Sequence, residues 1–454
     1  AGPMDSQLTT LSDPATEAVT DAVLGEVDRR RDSALAFLAE LIALQALGED
    51  AVQAAVAARL EALGAEVRAA VYDPADVPVT AEFAAAGARS EGERRNVVAR
   101  LDGTGTGRSL LIFAHPDSEP TAAAKGWRHD PFAAVIENGR MHGWGVADDL
   151  AGIAAGVMAI EAIHRSGLDL AGDLLFASTP SKRHARGIAA VLHQDTSADG
   201  ALYLHPAESG AGMVEIKALA SGLLEFSVEV VGKPPETAEP GHTAFAHRAV
   251  HPLEKAELLI AALRRLDAAR GERIRHPLLE AAVGRSTNIL ISEMHFGEPG
   301  LTTRVPGRLT FTASVSFPPP ETLESVRAEI EAALAETVAA DAFLSAHPPV
   351  VRFLAGVTGS EVAESNPLYQ TLAGAIRSVS GLSPRVNPMH TSSDIRNPLV
   401  QKGIPALGFG SLCGDLTQAG GTDEWVDVED WLRMVKVTAA AIIAWCGTAG
   451  SRAA

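Results

Sequence analysis

The sequence predicts a three-layer α/β core interrupted by a smaller α+β domain. Short apolar runs ending near Ala114, Ala177 and Leu204 alternate with helical patterns, as in a sheet buried on both faces. After Gly222 the pattern becomes a period-two alternation, with Phe226, Val228 and Val230 set against Ser227 and Glu229, which marks a half-buried strand. Beyond Pro349 the strand–helix alternation returns. A chain of 454 residues has the length for two or three domains. The simplest organisation is a discontinuous core, 1–220 plus 345–454, with 221–344 inserted.

Residues 33–63 read as two amphipathic helices, with Leu38, Leu41 and Leu44 on one stripe and Val52, Val56 and Leu60 on the next. The runs 96–100 and 109–114 are too short for helices and suit buried strands. A loop with Pro116, Pro120, Gly126 and Pro131 follows, and 149–166 reads as a helix striped by Ile153, Val157, Ile160 and Ile163. Further buried strands are expected at 174–177 and 200–204. In the inserted part, 223–231 is a strand, 251–270 a helix, 288–293 and 309–316 strands, and 321–337 a helix, an order typical of a small α+β domain. The chain closes with a helix over 430–446.

Composition narrows the functions. The chain has 38 basic and 57 acidic residues, a formal charge of −19, which argues against a nucleic-acid binder with its basic face. No stretch approaches the about 18 unbroken apolar residues of a membrane span. The two cysteines, Cys413 and Cys446, cannot build a disulfide framework or a Cys-rich zinc site. Ala1-Gly2-Pro3 ahead of Met4 reads as a cloning remnant, and the N-terminus lacks the basic-then-apolar order of a signal peptide, so a cytoplasmic location is expected. The alanine-rich composition points to a GC-rich bacterial genome.

Three segments put metal-competent side chains at strand ends. His115-Pro116-Asp117 follows the run 110–113, Asp148-Asp149 follows the Gly143-Trp144-Gly145 turn, and His205 ends the strand 201–204. Ligands in open α/β sheets gather beyond the carboxyl ends of strands, so these residues can converge. Two imidazoles and a carboxylate suit zinc, with manganese or cobalt as substitutes. Taken singly, each is equally a loop histidine or a helix N-cap aspartate.

The run Leu111 to Asp117 resembles the "GHxD" strand end of a zinc-hydrolase family that includes acetylornithine deacetylase, succinyl-diaminopimelate desuccinylase, aminoacylase and carboxypeptidase G. Trp127, Asp130-Pro131-Phe132, Gly139-Arg140, Gly143-Trp144-Gly145, Asp148 and Gly152 resemble its next block. Gly403-Ile404-Pro405 to Gly410 and Glu424-Trp425-Val426-Asp427 resemble its C-terminal block, with Asn96 to Ala99 and Thr287-Asn288 adding to the match. The resemblance implies a zinc-exopeptidase-like catalytic domain with an inserted, ferredoxin-like lid and dimerisation domain, hence a homodimer acting on a small substrate with a carboxylate. It also implies two metals bridged by one Asp, with a Glu as general base. Carried onto this chain, His115 and His205 are ligands of one metal, Asp148 is the bridge and Asp117 orients His115. His242, with His247 second, matches the lid histidine that reaches a substrate across the dimer. Arg396 in Ser392-Ser393-Asp394-Ile395-Arg396 matches a carboxylate binder, or else forms a structural ion pair with Asp394 or another acid, and Asn288 is a candidate substrate contact.

The other half of the family's site departs from the pattern. Its "TPDEExGSxG" segment is here Thr179-Pro180-Ser181-Lys182-Arg183-His184-Ala185-Arg186-Gly187, with Lys182 in place of the general-base Glu and Arg183 in place of a second-metal Glu. Gly420 stands where a C-terminal ligand His belongs. The expected cofactor is therefore one divalent metal on His115, Asp148 and His205. Arg183 would replace the second metal's charge or hold a substrate carboxylate, and Lys182, with its pKa lowered by that cation and by burial, would be the acid/base. His184 and His390 are spare ligands, Glu208 a reserve base, and Trp144 replaces a common Arg. Three functions fit: a remodelled metalloenzyme acting at or beside a C–N or acyl bond of an amino-acid-derived substrate (lyase, isomerase, acyl transfer or hydrolysis), an ordinary amidohydrolase with substituted ligands, or a non-catalytic binding paralogue.

Overall fold

The strands Leu110–Ala114, Leu174–Ser178 and Gly200–Leu204 have every residue buried, because an apolar run in mid-sheet must be covered on both faces. This computed structural model describes residues 13–120, 126–194, 196–207, 209–238, 241–387, 391–414 and 423–449. The three strands lie inside a six-stranded sheet ordered Glu66–Tyr72, Arg94–Leu101, Leu174–Ser178, Leu110–Ala114, Gly200–Leu204, Ala406–Phe409. The first two joins are antiparallel and the last three parallel.

Successive side chains of these strands feed two different cores. Leu110, Ile112, Phe176, Leu202 and Leu204 join the larger one with helices Arg31–Gln45, Glu49–Ala62, Ala151–Arg165, Pro367–Ser380 and Val428–Cys446. Leu111, Phe113, Leu175, Ala201 and Tyr203 join the other, under the short helix Gly187–Leu192. This is the expected three-layer arrangement, with its catalytic-type core on a mixed sheet. Gly48, at φ +102°, makes the sharp break between the first two of those helices. A further helix, Pro14–Arg29, was not anticipated; its only buried residues are Val23 and Val27, too few to show a stripe. Its N-terminus is capped by Asp13. Among the described residues no helix is long and apolar enough to cross a membrane.

The second sheet is antiparallel throughout, ordered Asn288–Phe296, Arg308–Phe317, Gly222–Val231, Val350–Val357, Glu82–Ala84. Helices Pro252–Arg273 and Leu323–Ala340 share its core, giving a ferredoxin-like strand–helix–strand–strand–helix–strand unit. Arg270, 1% exposed, ties the first helix to the second by pairing with Glu321, just ahead of it, at 2.7 Å and with Glu329, within it, at 2.9 Å. The sheet departs from the sequence reading at two points. Val350–Val357 pairs with Gly222–Val231, so the chain stays in this sheet past the 344 boundary. Glu82–Ala84, from the N-terminal half, adds to its edge through Ala355, Gly356 and Val357, a three-residue pairing with no local signal.

Candidate active site

The strands Leu110–Ala114 and Gly200–Leu204 are parallel neighbours, so the residues that follow them, His115 and His205, emerge side by side at the same sheet edge. Asp148 reaches them from the turn Val146–Leu150, which leads into helix Ala151–Arg165. Its Oδ1 lies 2.7 Å from His115 Nε2 and 3.0 Å from His205 Nε2, with all three residues buried. The turn is held by buried Glu424, whose carboxylate accepts the N–H groups of Gly145, Ala147 and Asp148 at 2.8, 2.9 and 3.1 Å. Burial, with Asp148 adding, pushes the Glu424 carboxyl up to about 8.

The donor set fits a metal ion. His115 Nδ1 faces two acceptors, the Asp117 carbonyl at 2.8 Å and Asp117 Oδ1 at 3.2 Å, so Nδ1 carries the proton and Nε2 turns a lone pair on Asp148 Oδ1. Two lone pairs at that separation need a cation between them. With only protons available, burial works against an imidazolium, but Asp148 and Asp117 outweigh it and raise His115 well above its ordinary value. Asp117 is fixed in turn by the N–H groups of Ser181 at 3.0 Å and Lys182 at 2.8 Å. His205 Nδ1 lies 3.0 Å from the Pro206 carbonyl and 3.0 Å from Lys217 Nζ, in a buried corner of the site.

Lys182 Nζ sits 2.6 Å from Asp148 Oδ2, so the carboxylate turns one oxygen to the imidazoles and the other to an ammonium. This corrects the expected electrostatics. Burial lowers the Lys182 pKa, yet Asp148 and then Glu119, 3.9 Å away, outweigh it and raise the group above its ordinary value. Arg183 cannot depress it as expected, since its side chain is 65% exposed at the mouth, 3.9 Å from Glu119. The cation beside Asp148 is Lys182, not Arg183.

A cavity of about 350 Å³ opens over these groups, walled by Lys182, Arg183, Glu119 and Tyr203 and, from the second sheet, by Leu223, Glu225 and Ala355–Val357. Arg396 lines it but is already paired, with Glu82 at 3.4 Å and Asp394 at 3.7 Å. His184 turns to Glu82, 3.7 Å away, rather than to the metal trio. His242 and Asn288 are exposed on the second domain, outside this cavity; His242 Nδ1 accepts the Ala244 N–H at 3.1 Å. Glu208, His390 and Gly420 lie outside the described residues.

Sequence reasoning missed Glu119, Glu82 and Lys217. Glu119 stands four residues past His115 in the same loop, which was signal enough to test it. Its neighbour also accounts for Trp144, whose buried indole N–H donates to the Glu119 carbonyl at 2.9 Å and pins that loop. Glu82 left no such trace.

Glu82 also makes a pH prediction. Burial pushes its carboxyl up, but His184, Arg396 and Arg186 outweigh this and hold it at about 2. Its folded pKa is depressed, so its stabilisation is present above the ordinary value of 4.5 and lost as pH falls through 2. Glu82→Gln should lower stability by up to about 3 kcal/mol at neutral pH, with the gap to the parent closing between those two values. Melting temperatures of both proteins across that range check it; a constant gap contradicts it.

The sheet, its inserted domain and the buried His–Asp–His trio define a metallopeptidase-type architecture. A profile of peptidase family M20/M25/M40 matches residues 111–444, and the chain belongs to that family. The succinyl-diaminopimelate desuccinylase of Methylobacterium radiotolerans is 27% identical over 354 residues, covering 75% of this chain and 82% of that protein. The N-formyl-4-amino-5-aminomethyl-2-methylpyrimidine deformylase of Halalkalibacterium halodurans is 25% identical over 373 residues, covering 77% and 83%. Among solved structures, an M20 family metallo-carboxypeptidase from Sulfolobus solfataricus superposes with a TM-score of 0.67 at 15% identity, covering 91% of this chain and 98% of that one. Human carnosine dipeptidase 1 gives 0.63 at 16% identity, covering 94% and 99%. These two likenesses show the fold.

Proposed function

We propose that the chain is a one-metal enzyme of this family that cleaves an acyl C–N bond of a small amino-acid-derived substrate, with the Lys182 ammonium in place of a second metal. The observation that carries this is the split use of Asp148, whose Oδ1 faces two imidazoles while Oδ2 meets Lys182 Nζ at 2.6 Å. His115, Asp148 and His205 would hold one divalent ion, zinc by donor type, which would act as a Lewis acid on a carbonyl oxygen. Asp117 orients His115. Hydrolysis is favoured among the reactions open to such a site because the sequence relatives carry desuccinylase and deformylase names.

In this reading the oxygen of a water bonds to the acyl carbon and the C–N bond breaks. The leaving nitrogen takes a proton from Lys182, and the water's proton passes to Glu119 and back to Lys182, which restores the site. A homodimer formed through the second domain, with His242 and Asn288 serving the facing copy, suits the exposed Leu290, Met294 and Phe296 on the outer strand. A cytoplasmic location suits two free, buried cysteines.

The test is a panel of N-acyl amino acids and dipeptides assayed for amine release before and after chelation. Turnover lost on chelation and restored by zinc, manganese or cobalt is expected. No turnover of any member with any of the three metals would sink the hydrolytic assignment.

A further inference from the structure

The two guanidiniums at this wall of the cavity, Arg186 and Arg396, share one buried carboxylate. Glu82 enters from the strand Glu82–Ala84 at the edge of the second sheet, and its side chain is 3% exposed. Its Oε1 lies 3.4 Å from Arg186 Nε and 3.7 Å from His184 Nδ1, and its Oε2 lies 3.4 Å from Arg396 Nη2. Arg186 and Arg396 are themselves only 6% and 11% exposed in their side chains, so this charge set is insulated from solvent. Arg396 faces the cavity, whereas Glu82 does not line it and stands behind the guanidinium. On the cavity side, Asp394 lies 3.7 Å from Arg396 and accepts the Ser181 hydroxyl at 2.5 Å. Two guanidiniums, Arg186 and Arg396, thus face two carboxylates, Glu82 and Asp394, so the set sums to zero and a carboxylate arriving at Arg396 meets no net positive charge.

We propose that Glu82 is a specificity-determining residue: with Asp394 it balances the charges of Arg186 and Arg396, so the substrate group placed at Arg396 is an uncharged amide rather than a carboxylate. An amide keeps the hydrogen bonds that Arg396 and Asp394 offer, through its carbonyl oxygen and its N–H respectively, without bringing a second negative charge beside Asp394. The position of Glu82 makes this a device of the two-domain fold, since the carboxylate rides on the second sheet while His184 and Arg186 precede the helix Gly187–Leu192 and Arg396 opens the helix Arg396–Lys402, both beside the first sheet. The inference rests on the cavity being the substrate site and is independent of what Lys182 does.

Binding separates the two. Isothermal titration of a matched pair, N-acetyl-L-alanine and N-acetyl-L-alaninamide, would be run on the full chain and on Glu82→Gln. The variant, which keeps the shape and removes the charge, is expected to shift preference toward the carboxylate ligand by about tenfold or more, with the amide little changed. A purely structural Glu82 would lower the melting temperature and leave the preference where it was, and that result overturns the proposal. Arg396→Gln in a chain with Glu82 intact answers from the other side and covers the case in which Glu82→Gln does not fold. Carboxylate binding unchanged within about twofold supports the proposal; a loss of about tenfold or more overturns it. Neither arm reads turnover, so failure of the catalytic reading leaves this test standing.

Discussion

Replacing Lys182 by Met, which keeps the length of the stem and deletes the ammonium, should lower kcat/KM by about 10²–10³. The loss should fall on kcat, because an ammonium aimed at the reacting atoms acts on charge and protons that develop only in the transition state. The geometry behind this is the 2.6 Å contact of Nζ with Asp148 Oδ2 and the approach to Glu119 at 3.9 Å, which together point the group at the cavity floor. The buried part of the cost is separable. Asp148 would lose its ammonium partner but keep both imidazoles, so metal content should not change. Steady-state kinetics and metal analysis on the same preparation check both halves. A fully active variant would show that Lys182 is only the counter-charge of Asp148.

Removing His115 should have the larger structural effect. His115→Ala takes away a ligand, strips Asp148 Oδ1 of its nearest partner and leaves Asp117 Oδ1 only the Ser181 N–H, in a site where His115, Asp117 and Asp148 are all buried. Breaking a buried ion pair from one side costs about 3–5 kcal/mol, because a desolvated charge is left behind. The expected result is a protein that melts well below the parent, retains little metal and has no measurable turnover. A variant that loses turnover but melts like the parent would mean that the neighbours re-pair locally, with Lys182 taking both oxygens of Asp148.

Much of this site was legible because it hangs on strands that are themselves legible. The runs 110–114 and 200–204 are apolar on both faces, which fixes them as central strands and puts His115 and His205 at one edge. Thr179-Pro180 follows another such strand, Leu174–Ser178, so Lys182 could be placed over the same edge. Partners were not legible. The direction in which Arg183 points is set by a left-handed turn, φ +56°, and no spacing rule separates it from its neighbour Lys182. For Arg396 a carboxylate-binding role and an ion pair with Asp394 or another acid stood side by side, and Glu82 could not be named because it lies on a three-residue strand more than three hundred positions away in sequence. Helix Pro14–Arg29 and the late return of the chain from the second sheet were missed for the same reason: short or sparsely buried elements are decided by tertiary pairing, not by local pattern.

The central claim is that Lys182 fills a cation position, leaving one metal per chain. Mass-spectrometric metal content on protein purified without chelator or nickel resin tests it most directly. About one equivalent, lost in His115→Ala and retained in Lys182→Met, is the predicted result. Two equivalents in the parent protein would contradict it, because a second ion would then occupy the place assigned to the ammonium beside Asp148 Oδ2.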